Sequence, residues 1–407
     1  MDIQPIKNIY HLGKAIVANW FYGNPSNRLT VIGVTGTDGK TTTSSLIYHI
    51  LKSSGKKVSL ISTVSATIGK KSYDTGFHVT TPSPFTVQKY IKQAADDGDN
   101  YFVLETTSHA LDQFRVYGIH FNLGLITNIT HEHLQYHKTY EKYVEAKAKL
   151  LQWSDVCIIN RDDKSYPYLI NTPMKEMVTY SLKNHADFNL DISKKINKPL
   201  ALFNKYNYLG AYIVCHKLGL SDEQIFSAMK TYTLPPGRLE VIYDKNFKVI
   251  IDFAHTPNAL HEALQSIREV HQPEGKIIHI FGAAAFRDDS KRPLMGDESS
   301  SHADTTIITE EDYRTEDPKN IAKQIAVGME KNEWKLIQSD SYQGDKKTFT
   351  SIVNRQEAID KALAVVKKGD IIVLTGKGHE QSLCRGTKEY PWDDKKAVLE
   401  SIKKLRK

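Results

Sequence analysis

The sequence predicts an α/β fold with two domains, and two observations carry this prediction. Short apolar runs alternate with helical patterns in both halves of the 407-residue chain, which is typical of a mostly parallel sheet flanked by helices. A stretch with two prolines and a glycine, residues 233–238, separates the two halves. Because a chain of this length exceeds what one core usually holds, we expect a first domain over residues 1–233 and a second, Rossmann-like α/β domain over residues 234–407.

The first domain opens on an apolar run that leads into a loop of glycine and threonine. Later apolar runs in this half are short and bounded by polar residues, as strands of a buried sheet are. The predicted strands lie at residues 30–34, 57–61, 101–105, 123–128 and 156–160, and the clearest helices at 41–53 and 140–152.

The alternation restarts in the second half. Predicted strands lie at residues 248–253, 276–281, 305–309 and 370–375, with helices at 258–270, 318–331 and 355–367. No Gly-x-Gly-x-x-Gly run follows the first of these strands, so the sequence does not support a dinucleotide site in this half.

Composition and charge narrow the class of protein. Three cysteines, Cys157, Cys215 and Cys384, lie far apart without a Cys-x-x-Cys pair, which favours a reducing compartment, the cytoplasm. The net charge of +7 is spread along the chain, so we expect no nucleic-acid partner, although anionic small substrates suit a mildly basic protein. No apolar run is long enough to span a bilayer, and no signal peptide is visible.

The strongest local signal is the loop between the first strand and the first predicted helix. Its glycines allow tight turns in which backbone amides point at phosphate oxygens, and the helix start adds partial positive charge. Lys40 is placed to reach the β- and γ-phosphates and Thr41 to bind Mg²⁺, although Val34 stands where the strict P-loop pattern has glycine. The predicted phosphate-binding residues are Gly36, Thr37, Gly39, Lys40, Thr41 and Thr42.

Two further strand ends carry candidate metal ligands. Glu105 ends the strand at 101–105, and the carboxyl ends of strands in a parallel sheet face the ligand crevice, so a Mg²⁺ ligand is favoured over a helix cap. His131, His133 and His137 follow the strand at 123–128, but they do not form His-Glu-x-x-His and no cysteine joins them. A Mg²⁺-linked role for one histidine is therefore favoured, with a zinc site as the alternative.

Together these motifs resemble the Mur ligase family, and in particular its UDP-N-acetylmuramoyl-tripeptide synthetase (MurE) branch. Blocks that match this family follow one another in family order over almost the whole chain. They lie at residues 21–26, 31–43, 80–84, 105–116, 127–137, 160–163, 203–207, 237–238, 252–260, 287–296 and 376–380, with Lys147.

The resemblance implies ATP-dependent amide-bond formation through an acyl phosphate, with Lys40 acting on the phosphates. It implies one Mg²⁺ held by Thr41 and Glu105, and a second served by Glu105, His133 and Lys147, the lysine being carbamylated. The implied nucleotide contacts are Asn204, Asn207, Arg238, Asp252 and His255, and the implied positions near the peptide acceptor are Thr80, Thr81, Ser108 and Arg115.

The amino-acid selector departs from the family pattern. Members that add meso-diaminopimelate carry Asp-Asn-Pro-Arg, where this chain has Glu-Asp-Tyr-Arg at residues 311–314. Asp312 and Arg314 are the candidate residues there, since the planar fork of arginine suits a carboxylate, with a surface salt bridge as the alternative. Glu380, in the block at residues 376–380, is expected to receive the distal ammonium, and Gly376 is a further substrate-binding candidate. A diamino acid is predicted, meso-diaminopimelate ahead of lysine.

The start of the chain also departs from the family. About 30 residues precede the loop, fewer than the roughly 50 of a small independent domain, so we expect no N-terminal UDP-binding domain and little contribution of UDP to affinity. We expect a monomer, with a partner chain that supplies acceptor binding as one possibility. Two other functions stay open: a folylpolyglutamate-like or other ligase that adds glutamate, and a degenerate ATP-binding module that regulates other proteins.

Overall fold

The computed structural model describes residues 4–73, 80–130, 132–286 and 288–405, and the chain forms two compact units, Met1–Thr233 and Leu234–Lys407. Each unit is an α/β structure built on a mostly parallel sheet, so the predicted fold class is confirmed. None of the described helices is long and apolar enough to cross a membrane.

The first unit is built on a sheet of eight described strands in the order β4-β3-β2-β5-β1-β6-β7-β8. All neighbouring pairs are parallel except β2–β3 and β3–β4. The strands are β1 (Thr30–Thr35), β2 (Val58–Ile61), β3 (Ala66–Ile68), β4 (Lys71–Tyr73), β5 (Tyr101–Glu105), β6 (Phe121–Ile126), β7 (Ser154–Asn160) and β8 (Glu176–Tyr180).

Helices cover this sheet and begin at recognisable caps. Thr139, for example, precedes the helix that bears Lys147, and its side chain accepts a hydrogen bond from the backbone N–H of Lys142. The helices are α1 (Gln4–Phe21), α2 (Lys40–Ser53), α3 (Pro84–Asp96), α4 (Ser108–Asp112), α5 (Leu134–His137), α6 (Tyr140–Gln152), α7 (Tyr166–Leu169), α8 (Ile192–Ile196), α9 (Leu202–Lys217) and α10 (Asp222–Thr231).

The second unit has a seven-stranded sheet over its described residues, in the order β13-β14-β12-β11-β15-β10-β9, and a separate hairpin, β16-β17. Only β9 runs antiparallel to its neighbour in the larger sheet. The strands are β9 (Glu240–Asp244), β10 (Lys248–Ile251), β11 (Ile277–Phe281), β12 (Thr305–Ile308), β13 (Lys335–Leu336), β14 (Thr348–Ser351), β15 (Ile371–Leu374), β16 (Ser382–Arg385) and β17 (Lys388–Pro391).

Five helices flank the second sheet, and apolar cores fill both of its faces. One core gathers Leu264, Phe281 and Met329, and the other gathers Ile280, Ile359 and Leu374. Burial of these side chains is the main stabilising contribution. The helices are α11 (Pro257–His271), α12 (Lys291–His302), α13 (Pro318–Lys331), α14 (Arg355–Val365) and α15 (Asp394–Leu405).

Every predicted strand and helix is present, with ends that shift by at most two residues. Shifts of two residues occur in β6, β7, β10 and α14; β6, for example, is predicted to run to residue 128 but ends at Ile126. The two residues beyond the end of β6 leave the strand because their side chains bond the loop between β1 and α2: Thr127 Oγ1 donates to Asp38 O, and Asn128 Oδ1 accepts from Asp38 N.

Candidate active site

The loop between β1 and α2 has the close packing that a phosphate cradle needs. Gly36 and Gly39 adopt φ angles of +154° and +78°. A Cβ atom on Gly36 would lie 1.9 Å from Thr127 Oγ1, and one on Gly39 would lie 2.1 Å from Asn207 Oδ1. Both positions therefore require glycine, for space as well as for backbone conformation.

Side chains within and beside this loop hold its shape. Lys40 Nζ donates to Thr37 O at 2.6 Å, and Thr37 Oγ1 lies 3.1 Å from Tyr143 Oη. Thr42 is buried, and its carbonyl accepts a hydrogen bond from Tyr232 Oη. The loop thus joins β1 to α2 with its lysine folded back onto its own backbone.

Glu105 is fully buried at the carboxyl end of β5, which pairs with β1. Its Oε1 accepts hydrogen bonds from Thr41 Oγ1 at 3.0 Å and Thr63 Oγ1 at 2.8 Å, and its Oε2 accepts one from Thr63 N at 2.9 Å. The sequence-predicted metal ligands Thr41 and Glu105 are therefore in direct contact.

Lys147 reaches the same loop from α6. It is buried, its Nζ donates to Gly36 O at 2.5 Å, and it lies 4.7 Å from the centre of the Tyr143 ring. Burial, and then the charge of Lys40, hold the pKa of Lys147 well below its ordinary value. These surroundings disfavour the charged form of the Lys147 side chain.

The histidines after β6 occupy different environments. The His133 ring packs edge-on against His109, with 4.9 Å between ring centres, and lies 6.2 Å from the Tyr143 ring. His137 is buried against Ser108 Oγ at 3.0 Å, and burial lowers the pKa of His137 to about 4. Among the described residues, neither His133 nor His137 belongs to a group of three potential metal ligands. His131 is not one of the described residues. The alternative of a zinc site at these histidines therefore gains no support.

The predicted acceptor-side residues connect to Glu105 through hydrogen bonds. Thr80 Oγ1 accepts from Thr63 Oγ1 at 3.0 Å, and Thr81 Oγ1 donates to Glu105 O at 3.2 Å. Arg115 Nη1 in turn donates to Thr81 O at 3.3 Å.

Asn204 and Asn207 lie one helical turn apart on α9 and are both buried. Asn207 Nδ2 donates to Asn204 Oδ1 at 3.2 Å, and Thr43 Oγ1 donates to Asn207 Oδ1 at 3.3 Å. Since Asn207 also fills the space beside Gly39, this predicted nucleotide motif lies against the phosphate loop.

In the second unit, the predicted nucleotide contacts gather around Asp252, the residue that directly follows β10. Asp252 accepts from Leu239 N and Ala254 N, each at 2.7 Å, and its burial raises the pKa of this carboxyl while Arg238 opposes the shift. The Arg238 guanidinium stacks over Phe253 at 4.5 Å. His255 Nδ1 lies 2.9 Å from Phe253 O, so these residues form one local cluster.

The predicted amino-acid selector is a second charged cluster in this unit. Lys377 is buried, and its Nζ lies 2.9 Å from Asp312 Oδ1 and 2.6 Å from Glu380 Oε2. Gly376 has a φ of +101° and leaves room for the Glu311 side chain. A Cβ atom at Gly376 would lie 2.9 Å from Glu311 Oε2. Arg314, at φ +50°, is held by backbone hydrogen bonds to Cys384 and Gly386.

Comparison with known proteins identifies the family of this chain. Residues 34–213 match the Mur ligase middle domain, and residues 237–378 match the Mur ligase glutamate ligase domain. A UDP-N-acetylmuramoyl-L-alanyl-D-glutamate–2,6-diaminopimelate ligase of Clostridium acetobutylicum is 37% identical over 413 residues, covering 96% of this chain and 82% of that protein. The chain belongs to the Mur ligase family. It is an ATP-dependent amide-bond ligase.

Further relatives extend the comparison. The corresponding diaminopimelate ligase of Aquifex aeolicus is 38% identical to this Mur ligase over 410 residues, covering 96% of this chain and 80% of that protein. A solved diaminopimelate ligase superposes with a TM-score of 0.60 at 29% identity, over 93% of this chain and 79% of that one. FolC of E. coli in complex with ADP gives 0.69 at 16% identity, over 96% and 93%, a likeness of fold alone.

Sequence reasoning missed two residues of the Mur ligase's second unit. Glu311 is buried with no hydrogen-bond partner for its Oε2, and burial raises the pKa of this carboxyl to about 7. Lys377 joins Asp312 to Glu380. Both residues lie inside motifs that the sequence had singled out, at residues 311–314 and 376–380. The contact between these two motifs, through Lys377 and Asp312, is visible only in the structure.

Proposed function

We propose that this Mur ligase joins meso-diaminopimelate to the terminal carboxylate of a UDP-muramoyl peptide through an acyl phosphate. The observation that carries the proposal is the contact of Glu105 with Thr41 at the mouth of the phosphate loop, with buried Lys147 bonded to Gly36 of the same loop. The relatives named above are diaminopimelate ligases, which supports this amino acid ahead of lysine.

The residues around Glu105 fit Mg²⁺. This cation prefers oxygen ligands, and the buried carboxylate already gathers two hydroxyl groups. We assign one Mg²⁺ to Thr41 and Glu105 and a second to Glu105, His133 and Lys147. When bound, Mg²⁺ neutralises charge on the transferring phosphoryl group.

Lys147 has the environment that a carbamate requires. Carbamylation joins the neutral amine to CO₂ with loss of a proton, and the lowered pKa of Lys147 increases the fraction of its side chain in that form. The product is a carboxylate, which offers Mg²⁺ the oxygen ligands that this cation prefers in place of an amine.

We assign the phosphates of the nucleotide to Gly36, Thr37, Gly39, Lys40 and Thr42 of the first unit, with Asn204 and Asn207 beside that loop. In the second unit, Arg238, Asp252 and His255 remain the nucleotide contacts that the family resemblance implies. Structure neighbours of this fold are complexed with ADP, which agrees with ATP as the phosphoryl donor.

The acceptor peptide is assigned to Thr80, Thr81, Ser108 and Arg115, which connect through hydrogen bonds to Glu105 or to His137. Burial lowers the pKa of Arg115, but its guanidinium stays charged over the working range and suits a peptide carboxylate. Calorimetry with acceptors that carry or lack UDP measures how much UDP contributes to the affinity for the acceptor.

The incoming amino acid is assigned to Asp312, Arg314, Gly376 and Glu380, together with Glu311. Arg314 suits the distal carboxylate of meso-diaminopimelate, which lysine lacks. The carboxylates of Glu311, Asp312 and Glu380 suit the ammonium group of the incoming amino acid. Lys377 pairs with Asp312 and Glu380 and so balances part of their negative charge.

The chemistry follows from these placements. The peptide carboxylate attacks the γ-phosphorus in line, the bond from this phosphorus to the β-phosphate oxygen breaks, and ADP leaves. Lys40 and the loop amides stabilise the charge on the phosphoryl oxygens. The amine then attacks the acyl carbon, phosphate leaves, and the amine gives up a proton as the amide forms.

Phosphate release with ATP, Mg²⁺, a UDP-muramoyl dipeptide and a panel of amino acids tests the proposed specificity. We expect release to depend on meso-diaminopimelate, less on lysine, and not on glutamate. Dependence on glutamate would favour the folylpolyglutamate-like function, and release under none of these conditions would favour the degenerate module.

Location and assembly remain parts of this proposal. We propose a cytoplasmic enzyme that acts as a monomer without a nucleic-acid partner. Sedimentation of the purified chain distinguishes a monomer from an oligomer. If a partner chain supplies acceptor binding, adding that partner should raise the affinity for the acceptor.

A further inference from the structure

A group of metal-binding side chains lies on the second unit and has no part in the proposed ligase chemistry. His261 extends from α11, and Glu298 and His302 extend from α12. Across residues 4–73, 80–130, 132–286 and 288–405 it is the one group of three His, Cys, Asp or Glu ligand atoms near enough to share a cation. Its members are partly exposed, at 40%, 31% and 23% of their side chains.

The spacing of the three ligand atoms matches a coordination site. His261 Nδ1 lies 3.0 Å from Glu298 Oε2 and 3.1 Å from His302 Nε2, and Glu298 Oε2 lies 3.4 Å from His302 Nε2. Ligands bound to Zn²⁺ at about 2.0–2.2 Å with tetrahedral angles stand roughly 3.4 Å apart. The three atoms therefore form one face of a tetrahedron of nearly the right size.

Hydrogen bonding among the side chains explains this convergence less well. The Nδ1 atom of an imidazole has one in-plane direction, for a proton or for a lone pair, and cannot serve two partners well at once. A cation in the centre accepts a lone pair from each of the three atoms. Glu298 and His302 are four residues apart, so both side chains lie on the same face of α12, towards His261.

We propose that His261, Glu298 and His302 bind a Zn²⁺ ion, with water in the fourth position. Two imidazoles and a carboxylate select a borderline transition metal over Mg²⁺ or Ca²⁺, which prefer oxygen ligands. The guanidinium of Arg268 pairs with the carboxylate of Asp304 at 3.0 Å. The positive charge of Arg268 is therefore balanced and does not disfavour a bound cation.

The bound ion would act as a clamp between α11 and α12. α11 starts directly after the loop with Asp252 and His255, and Lys291 at the start of α12 donates to His255 O at 2.8 Å. Joining the two helices stabilises the folded unit in proportion to the occupancy of the site.

Titration with Co²⁺, a spectroscopic substitute for Zn²⁺, tests the site on the full chain. Excess Mg²⁺ and ATP are present so that oxygen-rich sites are filled. We expect the wild type to give the visible absorption of tetrahedral Co²⁺, abolished by Zn²⁺, and a higher melting temperature with Zn²⁺. His261→Ala and His302→Ala should each weaken binding by at least about 10-fold, the loss that even an outer partner of a metal ligand causes.

His185→Ala is the matched control, because His185 is an exposed histidine of the first unit. It should bind Co²⁺ like the wild type. Circular dichroism checks that each variant is folded, and Glu298→Gln, which keeps size and removes charge, replaces any variant that is not. Absence of the tetrahedral spectrum in the wild type, or equal affinity in the folded ligand variants, would overturn the proposal.

Discussion

At the scale of single residues, the environment decides what Lys147 does. In the sequence it is one of four lysines of α6, and only the family resemblance distinguishes it. The fold buries it beside Gly36 and near Lys40, where its charged form is disfavoured. Carbamylation would remove the positive charge of Lys147 and with it the repulsion from Lys40. The same modification would supply the carboxylate that the proposed metal site needs.

Lys147→Ala should lower the ligase rate by about 100-fold or more, because charge stabilisation of the phosphoryl group is lost. Added short carboxylates such as acetate should restore part of the rate if they take the place of the carbamate. Steady-state kinetics with and without acetate measure both effects. Lys142→Ala on the exposed side of the same helix is the control and should keep full activity. An unrescued mutant with wild-type activity would remove Lys147 from the site.

At the scale of elements, the β1–α2 loop is shaped by its packing against α9. Gly39 caps α2 with φ +78°, and Asn207 occupies the space where a side chain would extend. Gly55, just after α2, has nearly the same φ of +76° but no neighbouring atom within 4 Å of its added Cβ. The two glycines separate the effect of backbone strain from the effect of crowding.

Gly39→Ala should abolish ATP binding and destabilise the fold by more than Gly55→Ala does. Backbone strain alone costs about 1–2 kcal/mol at either position, and the clash with Asn207 adds to it only at Gly39. Urea denaturation gives both free energies of unfolding, and calorimetry with an ATP analogue gives binding. Equal stability and equal nucleotide affinity in the two variants would show that Asn207 does not constrain the loop.

The sequence predicted the elements better than the contacts between them. Periodicity located nine of the seventeen described strands, since apolar runs report burial directly. It missed the other eight, which are β3, β4, β8, β9, β13, β14, β16 and β17. The bond from Thr63 to Glu105 and the meeting of Lys377 with Asp312 join residues more than 40 positions apart, and local patterns carry no information about such pairs. Glu311 was missed for the same reason.

At the scale of the whole molecule, stability should depend on pH through buried neutral histidines. His279 of β11 is fully buried between Ser299 and Thr375, and burial lowers its pKa from 6.5 to about 3. Below pH 6.5 the unfolded chain takes up a proton that the folded chain refuses. This contribution to stability is therefore complete above pH 6.5 and falls as the pH drops towards 3.

Between pH 7 and pH 5 His279 should lower the free energy of unfolding by about 2 kcal/mol. The side chain in His279→Asn keeps a hydrogen-bond donor and an acceptor but does not titrate. Between pH 7 and pH 5 the free energy of unfolding of this variant should therefore fall by about 2 kcal/mol less than that of the wild type. Urea denaturation at both pH values measures the difference. His185→Asn, at an exposed site, should follow the wild type. Parallel pH curves for His279→Asn and the wild type would show that this histidine titrates normally.

The central claim for the whole enzyme is that an oxygen of the peptide carboxylate becomes bonded to the γ-phosphorus of ATP. An acceptor labelled with ¹⁸O in its terminal carboxylate tests this directly, with mass spectrometry of the phosphate released during turnover with meso-diaminopimelate. The proposed route predicts one ¹⁸O atom in each phosphate formed. Unlabelled phosphate released together with amide product would contradict an acyl phosphate on the path.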